Sequence, residues 1–156
     1  MQLLAGNNRM TDIQAALGRS QLSKLAFFKK RRKEIVNIYN NEFHNNPNVI
    51  IPHEESGLDT CFHLYVLQLD YNKIGKSRKQ VMEELKQRGI GTQVHYIPVN
   101  SQPYYVNKYG DYKNGDYPIT ESYYNKCLSI PLYPMMSNEE VEYVCKTIIS
   151  ITRGCL

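Results

Sequence analysis

Several features that would assign the protein to a class at once are missing from its sequence. No apolar run approaches the roughly 18 residues that a membrane-spanning helix needs. Residues 1–8 lack the basic stretch followed by an apolar stretch that marks a signal peptide, so we expect neither feature. No repeat or low-complexity segment occurs. The length of 156 residues predicts one globular domain with a core, too short for a two-domain enzyme.

Cysteine provides no framework for a metal or disulfide fold. The chain has four cysteines, at positions 61, 127, 145 and 155, and none forms a Cys-x-x-Cys pair. No histidine stands at zinc-binding spacing from them. We therefore expect no metal site, and buried or free thiols in a reducing cytoplasm.

The net charge of +4 comes largely from one basic run, residues 29–33 with the sequence KKRRK. Such a run is typical of the solvated face of a helix, and it is also compatible with a nucleic-acid patch. A basic surface would equally suit an anionic substrate such as a nucleotide diphosphate. We favour the solvated face and expect no nucleic-acid partner.

A long helix is predicted from Thr11 to the helix-ending residues 45–47, with the sequence NNP. Thr11 and Gln14 form a capping box at its start. Up to Phe28 the apolar residues cover more than one face of this helix, which is typical of a helix held between two partners. We expect those partners to be a further domain, a second subunit, or both.

The rest of the chain alternates between strand and helix patterns. Strands are predicted at 61–69, 92–99 and 128–132, and a tyrosine-rich loop at 100–116. Capping boxes predict helices after Ser77 and Ser137, and a further helix covers 119–127. This order predicts a small α+β sandwich with a three- or four-stranded sheet.

Two stretches carry candidate ligand-binding residues. The first is residues 7–18, NNRMTDIQAALG, where the amide of Asn7 and the guanidinium of Arg9 precede a helix N-terminus. Such a start suits an anion, although simple helix capping is the alternative interpretation. The second is residues 89–105, GIGTQVHYIPVNSQPYY, where histidine and tyrosines follow a predicted strand. This pattern predicts a ligand rim, and a purely structural histidine is the alternative.

Together these stretches resemble the DegT/StrS family of sugar aminotransferases. The first resembles the helix that follows their cofactor domain, and the second resembles their C-terminal domain. A third stretch, residues 128–134 with the sequence LSIPLYP, also matches. Within the family the resemblance is strongest to UDP-4-amino-4,6-dideoxy-N-acetyl-β-L-altrosamine transaminases of the pseudaminic acid route. The three stretches occur in the family's order and spacing, and the resemblance covers nearly the whole chain.

The resemblance implies a fold for this chain and places the cofactor in a different domain. The fold would be the small C-terminal α+β domain of the aspartate-aminotransferase (fold type I) architecture, with residues 1–46 as an interdomain and dimer helix region and 47–156 as the domain itself. Pyridoxal phosphate and its Schiff-base lysine belong to a large N-terminal domain that would precede residue 7. Residues 61–66, CFHLYV, faintly resemble the lysine motif, but Val66 stands in the lysine's place. We expect no catalytic residue in this chain and no activity from it alone.

The same resemblance assigns site residues. Asn7 would reach across a homodimer to the cofactor phosphate. The substrate side would be formed by Arg9, His95, Tyr96, Asn100 and Tyr104. Two departures from the family pattern stand out. Asn100 replaces a histidine expected near substrate, and Gly6 and Asn8 replace aromatic residues around Asn7.

The implied function is that of a transaminase for surface glycan synthesis. The complete cytoplasmic protein would transfer an amino group from glutamate to a nucleotide-linked 4-keto-6-deoxy sugar, with no nucleic-acid or membrane partner. The alternative is a non-catalytic interaction module, either a split-gene product or a remnant, that pairs with a separate pyridoxal phosphate domain.

Overall fold

The computed structural model describes residues 9–110 and 115–153. The predicted long helix is found as two consecutive helices, α1 (Asp12–Leu22) and α2 (Leu25–Phe43). The capping box of Thr11 and Gln14 is confirmed at the start of α1. At the break, the hydroxyl of Ser23 donates to the carbonyl of Ser20 at 2.8 Å. Such a local side-chain bond competes with helical continuation, which accounts for the interruption.

The two helices differ in what they bury. Helix α2 places four large residues in the core, and α1 buries none. The four core residues of α2 follow the spacing of one helix face: Ile35, Val36, Tyr39 and Phe43. The apolar residues predicted to need a partner are exposed on α1, with Ile13 at 82% and Leu17 at 60% of their full accessibility.

Three antiparallel strands form the sheet, within the range predicted. They are β1 (Val49–Ile50), β2 (Tyr65–Leu69) and β3 (Cys127–Ile130), in the order β1-β2-β3. Strand β2 alternates buried and half-buried residues, whereas β3 is buried at every position. With only two residues, β1 is too short for the alternating pattern that identifies strands in a sequence.

The predicted strand at 92–99 is wrong. This segment makes one isolated bridge, between Gln93 and Ser129 of β3, and then leaves the sheet. The side-chain oxygen of Gln93 accepts the N–H of Val94 at 3.0 Å, so that a donor is turned away from a strand ladder. Pro98 has no N–H at all. A segment with the composition of a strand therefore runs as an extended loop beside β3.

The predicted loop at 100–116 is partly helical. A short 3₁₀ turn covers Val99–Ser101, and helix α5 covers Pro103–Tyr109. Proline at the first position favours helix initiation because its missing N–H is not needed there. Gly110, with φ of 93°, ends the helix. Residues 111–114 lie outside the described part of the chain.

The remaining helices close the core. They are the short α3 (Tyr71–Ile74), which was not predicted, and α4 (Arg78–Gln87), α6 (Pro118–Lys126) and α7 (Asn138–Thr152). The capping boxes at the starts of α4 and α7 are confirmed. Residues from α2, α4, α7 and the sheet share one apolar cluster. None of the helices in the described part of the chain has the length and apolarity to cross a bilayer.

The division between residues 46 and 47 stays a prediction. The second half of α2 packs against α7, and Asn46 donates its amide to the hydroxyl of Thr152 at 2.8 Å. Asn48 donates to the carbonyl of Thr152 at 2.7 Å. Two predicted regions therefore meet in one core, and α1 lies beyond it.

Candidate functional site

His95 is held against the sheet by its side chain. Its Nδ1 lies 2.8 Å from the hydroxyl oxygen of Ser129, which is buried in β3. Two residues earlier, Gln93 exchanges both backbone hydrogen bonds with Ser129, at 2.8 and 3.2 Å. No hydrogen bond joins Nε2 of His95 to any residue within 9–110 or 115–153. The histidine is thus fixed on one side, with its second ring nitrogen available to a ligand.

Tyr96 lies directly beside this histidine. Its ring meets the imidazole edge to face, with centroids 4.6 Å apart and an interplanar angle of 78°. Tyr96 is 73% exposed. The pair therefore presents an apolar ring and a polar nitrogen side by side, the mixture of groups that lines small-molecule sites.

Asn100 lies in the 3₁₀ turn that follows. Its Nδ2 is buried and has no hydrogen-bond partner in the described part of the chain. The residue lines a cavity of about 560 Å³ together with Tyr105, Tyr109 and Tyr117. A buried donor without a partner is costly. Because this nitrogen is covered from solvent, a ligand in the cavity would contact it only after the covering side chains move.

Tyr104, at the start of α5, carries a positive charge beside its ring. Nζ of Lys108 lies 5.6 Å from the ring centroid of Tyr104 and 5.4 Å from that of Tyr109. The ammonium also donates to the Tyr104 hydroxyl at 3.3 Å. Both distances to the rings are within the range of cation–π attraction. The tyrosines hold a cation at the surface, where an anionic group would be attracted.

The first stretch lies apart from these residues. Arg9 is exposed and lines a surface groove of about 710 Å³ with Met10, Gln14 and Leu17 of the α1 region. No described hydrogen bond, ion pair or ring contact joins Arg9 to the residues of the 95–108 segment. Asn7 lies outside the described residues. Within the described chain, His95, Tyr96, Asn100 and Tyr104 share one ten-residue stretch, and Arg9 does not reach them.

Two features of the candidate site were not predicted from the sequence. Ser129 is a lone hydroxyl residue in an otherwise apolar strand, a signal that could have indicated a buried partner. Lys108 follows Tyr104 by four residues, which is the contact spacing of a helix, but the segment was predicted as a loop. Among the residues described, no cluster of three histidine, cysteine or acidic side chains could hold a metal.

The basic run at 29–33 is largely engaged within the chain. Arg31 donates to the carbonyl of Met136 at 2.6 Å, and Arg32 donates to the carbonyls of Phe62 and His63 at 2.9 Å. Nζ of Lys29 forms an ion pair with Oδ2 of Asp59 at 2.5 Å. The guanidinium groups of these two arginines hold α2 to the loops around it. Few of their N–H donors therefore remain for the phosphates of a nucleic acid.

Comparison with known proteins gives consistent matches over most of the chain. The family model described as the DegT/DnrJ/EryC1/StrS aminotransferase family matches residues 1–149. The spore coat polysaccharide biosynthesis protein SpsC of Bacillus subtilis is 42% identical over 146 residues, which are 93% of this chain and 37% of SpsC.

Solved structures match in the same way. PseC of Helicobacter pylori, an aminotransferase involved in the biosynthesis of pseudoaminic acid, has a TM-score of 0.85 and 26% identity over 97% of this chain and 40% of its own. The Spr1654 protein of Streptococcus pneumoniae in its PLP form has a TM-score of 0.82 and 27% identity over 93% of this chain and 36% of its own.

The chain therefore spans well under half of the length of these relatives. The match to solved aminotransferases confirms the predicted α+β fold of the aminotransferase fold type I architecture. Because the family model extends over nearly every residue, the chain belongs to the DegT/DnrJ/EryC1/StrS aminotransferase family.

Proposed function

We propose that this chain is the C-terminal portion of a pyridoxal phosphate-dependent transaminase that aminates a nucleotide-linked 4-keto-6-deoxy sugar, with glutamate as donor, for surface glycan synthesis. Family membership supports the reaction type, and the name of the Bacillus subtilis relative supports the polysaccharide context. The match to PseC supports a pseudaminic-type sugar. We place the complete protein in the cytoplasm as a homodimer.

The observation that carries the proposal is the set of polar groups and aromatic faces between residues 95 and 109. His95 offers Nε2, Asn100 offers a buried amide without a described partner, and Lys108 offers a cation held beside tyrosine rings. A sugar nucleotide carries hydroxyl oxygens, a diphosphate and a flat base. Hydrogen-bond donors between residues 95 and 109 suit the hydroxyl oxygens, the Lys108 ammonium suits the diphosphate, and the tyrosine rings suit the base.

The proposed roles follow the geometry. His95 and Tyr96 contact the sugar, where the imidazole donates to an oxygen and the ring covers an apolar face. Asn100 would donate to a polar group in the cavity beside it once the side chains that cover its Nδ2 move. Tyr104, with the Lys108 ammonium, faces the diphosphate. Arg9, on a separate surface of this chain, would act on the substrate of the opposite subunit, because it does not approach the 95–108 segment.

For pyridoxal phosphate, only Asn7 of this chain is proposed as a contact, to the phosphate across the dimer. When bound, the cofactor supplies an electron sink and carries the amino group between donor and acceptor. We place the Schiff-base lysine in the part of the relatives that this chain does not span. It follows that the chain alone should bind the cofactor weakly and should not turn over.

The exposed apolar face of α1 supports the proposal that this chain binds a partner. Ile13 and Leu17 are largely uncovered within the described residues. A domain that carries the cofactor, together with a second subunit, would cover them. This arrangement would also bring Asn7 and Arg9 into the active site of the neighbouring subunit.

The test is a hybrid enzyme. The segment of Bacillus subtilis SpsC that this chain does not span is fused ahead of the chain, and amination is measured with nucleotide-linked 4-keto and 3-keto sugars and glutamate. We expect turnover with the 4-keto sugar and none from the isolated chain. A hybrid that retains pyridoxal phosphate but aminates only the 3-keto sugar would contradict the proposed substrate.

The alternative is a non-catalytic module that pairs with a separately encoded cofactor domain. The observation that favours it is the uncovered apolar face of α1, which a separate cofactor domain would cover. Mixing the two parts as separate chains distinguishes the proposals. A split enzyme regains amination when the parts are mixed, whereas an interaction module binds the cofactor domain without any gain in turnover.

A further inference from the structure

Ser129 is a polar residue in a buried strand. It lies in the middle of β3, between apolar neighbours, and is only 4% exposed. A buried hydroxyl requires a hydrogen-bond partner, because an unsatisfied polar group is expensive in a core. The described partner of this hydroxyl is Nδ1 of His95, at 2.8 Å.

The backbone around this contact is fixed from two sides. On one side Ser129 pairs in register with Val66 of β2. On the other side its N–H and carbonyl bond to Gln93, at 2.8 and 3.2 Å. Because His95 lies two residues after Gln93, the position of its Cα is set by the same strand that supplies the hydroxyl. Backbone and side chain together restrict the imidazole.

The tautomer of His95 decides which atom of this contact donates, and the absence of a second described acceptor for the hydroxyl favours donation by Ser129. The Ser129 hydroxyl hydrogen needs an acceptor, and the described chain offers it Nδ1 of His95. A hydroxyl that donates to Nδ1 requires that nitrogen to be unprotonated, so that the neutral ring carries its hydrogen on Nε2. No described residue accepts a hydrogen bond from Nε2.

We propose that Ser129 is a positioning residue, whose hydroxyl donates to Nδ1 of His95 and thereby holds the ring with Nε2–H directed to the substrate. The substrate role of His95 rests on the proposed function, whereas the tautomer and the Ser129 contact do not. The consequence is a donor of fixed direction for a substrate oxygen. Tyr96, packed against the same ring, limits its rotation from the other side.

The contact itself is tested by NMR on the 156-residue chain with ¹⁵N-labelled imidazole rings, in alkaline solution where histidines are neutral. His95→Gln identifies the signals of His95 among the four histidines. We expect a protonated Nε2 and an unprotonated Nδ1 shifted by hydrogen bonding. Ser129→Ala should move the Nδ1 shift to that of a free ring nitrogen, and Ser129→Thr should retain it. A protonated Nδ1, or shifts unchanged in Ser129→Ala, would overturn the proposal.

The consequence for substrate is tested in the hybrid enzyme. Ser129→Ala should raise the KM for the sugar nucleotide about three- to tenfold with little change in kcat. It should add nothing in a His95→Ala background, because its effect passes through that ring. Ser122→Ala, on the exposed surface of α6, is the control and should leave both constants unchanged. Equal losses in both backgrounds would show that Ser129 is merely structural. An inactive hybrid would refute the proposed function, and the NMR result would stand by itself.

Discussion

Replacing the exposed apolar residues of α1 should abolish self-association of the isolated chain. Ile13 is 82% exposed and Leu17 is 60% exposed. Full burial of one such side chain contributes about 1.5–3 kcal/mol, so covering both would stabilise a complex by about 2–4 kcal/mol per chain. Because both chains of a pair carry the substitutions, Ile13→Ser with Leu17→Ser should weaken association by about a thousandfold or more.

Sedimentation velocity over a range of protein concentrations measures this effect. Ile119→Ser provides the matched control, because Ile119 is 85% exposed on α6 and is as apolar as Ile13. We expect the control to associate as the unmodified chain does and the double variant to sediment as a monomer. A monomeric unmodified chain at high concentration would refute the reasoning, since it would show that the exposed apolar face of α1 does not drive association.

The other predictions concern the fold. The exposed Cys61 should react quickly with a thiol reagent, whereas Cys145 should react only on unfolding, because burial raises its pKa to about 12; Cys61→Ser should remove a fast phase in reagent kinetics and Cys145→Ser should not. The hydrogen bond from Lys76 lowers the pKa of Glu84, so their pair stabilises the fold above the ordinary carboxyl pKa of about 4.3 and is lost as the pH falls. Glu84→Gln should cost about 1 kcal/mol in urea unfolding at neutral pH, with the difference vanishing in acid. Leu67→Ala, at a fully buried position of β2, should cost about 2–5 kcal/mol in the same assay, and a smaller loss would mean that the core collapses around the cavity.

Patterns governed by local chemistry were predicted well. The capping boxes at Thr11, Ser77 and Ser137 are present, because a cap depends on residues three positions apart. The helix predicted after Ser137 is present as α7, and its residues Val141 and Val144 are buried. In each case the determining residues are neighbours in the sequence.

Features that depend on distant residues were missed. The segment at 92–99 has the composition of a strand, but whether it pairs depends on β3, and only Gln93 meets it. The hydrogen bond between His95 and Ser129 joins residues 34 positions apart. A sequence pattern contains no information on such a contact unless one partner is conspicuous, as a serine in an apolar strand is. The site residues themselves came from the family resemblance and stay predictions.

The most direct test of the account compares two variants of the hybrid enzyme. Asn7→Ala should weaken cofactor retention by about ten- to a hundredfold, since an amide bond to a charged oxygen contributes about 1.5–3 kcal/mol. His95→Ala should raise the KM for the nucleotide-linked 4-keto sugar and leave cofactor retention intact. Pyridoxal phosphate release and initial rates are measured on both proteins. If His95→Ala loses the cofactor while Asn7→Ala keeps it, or if neither change affects either property, this chain does not form the substrate side of a sugar aminotransferase as proposed.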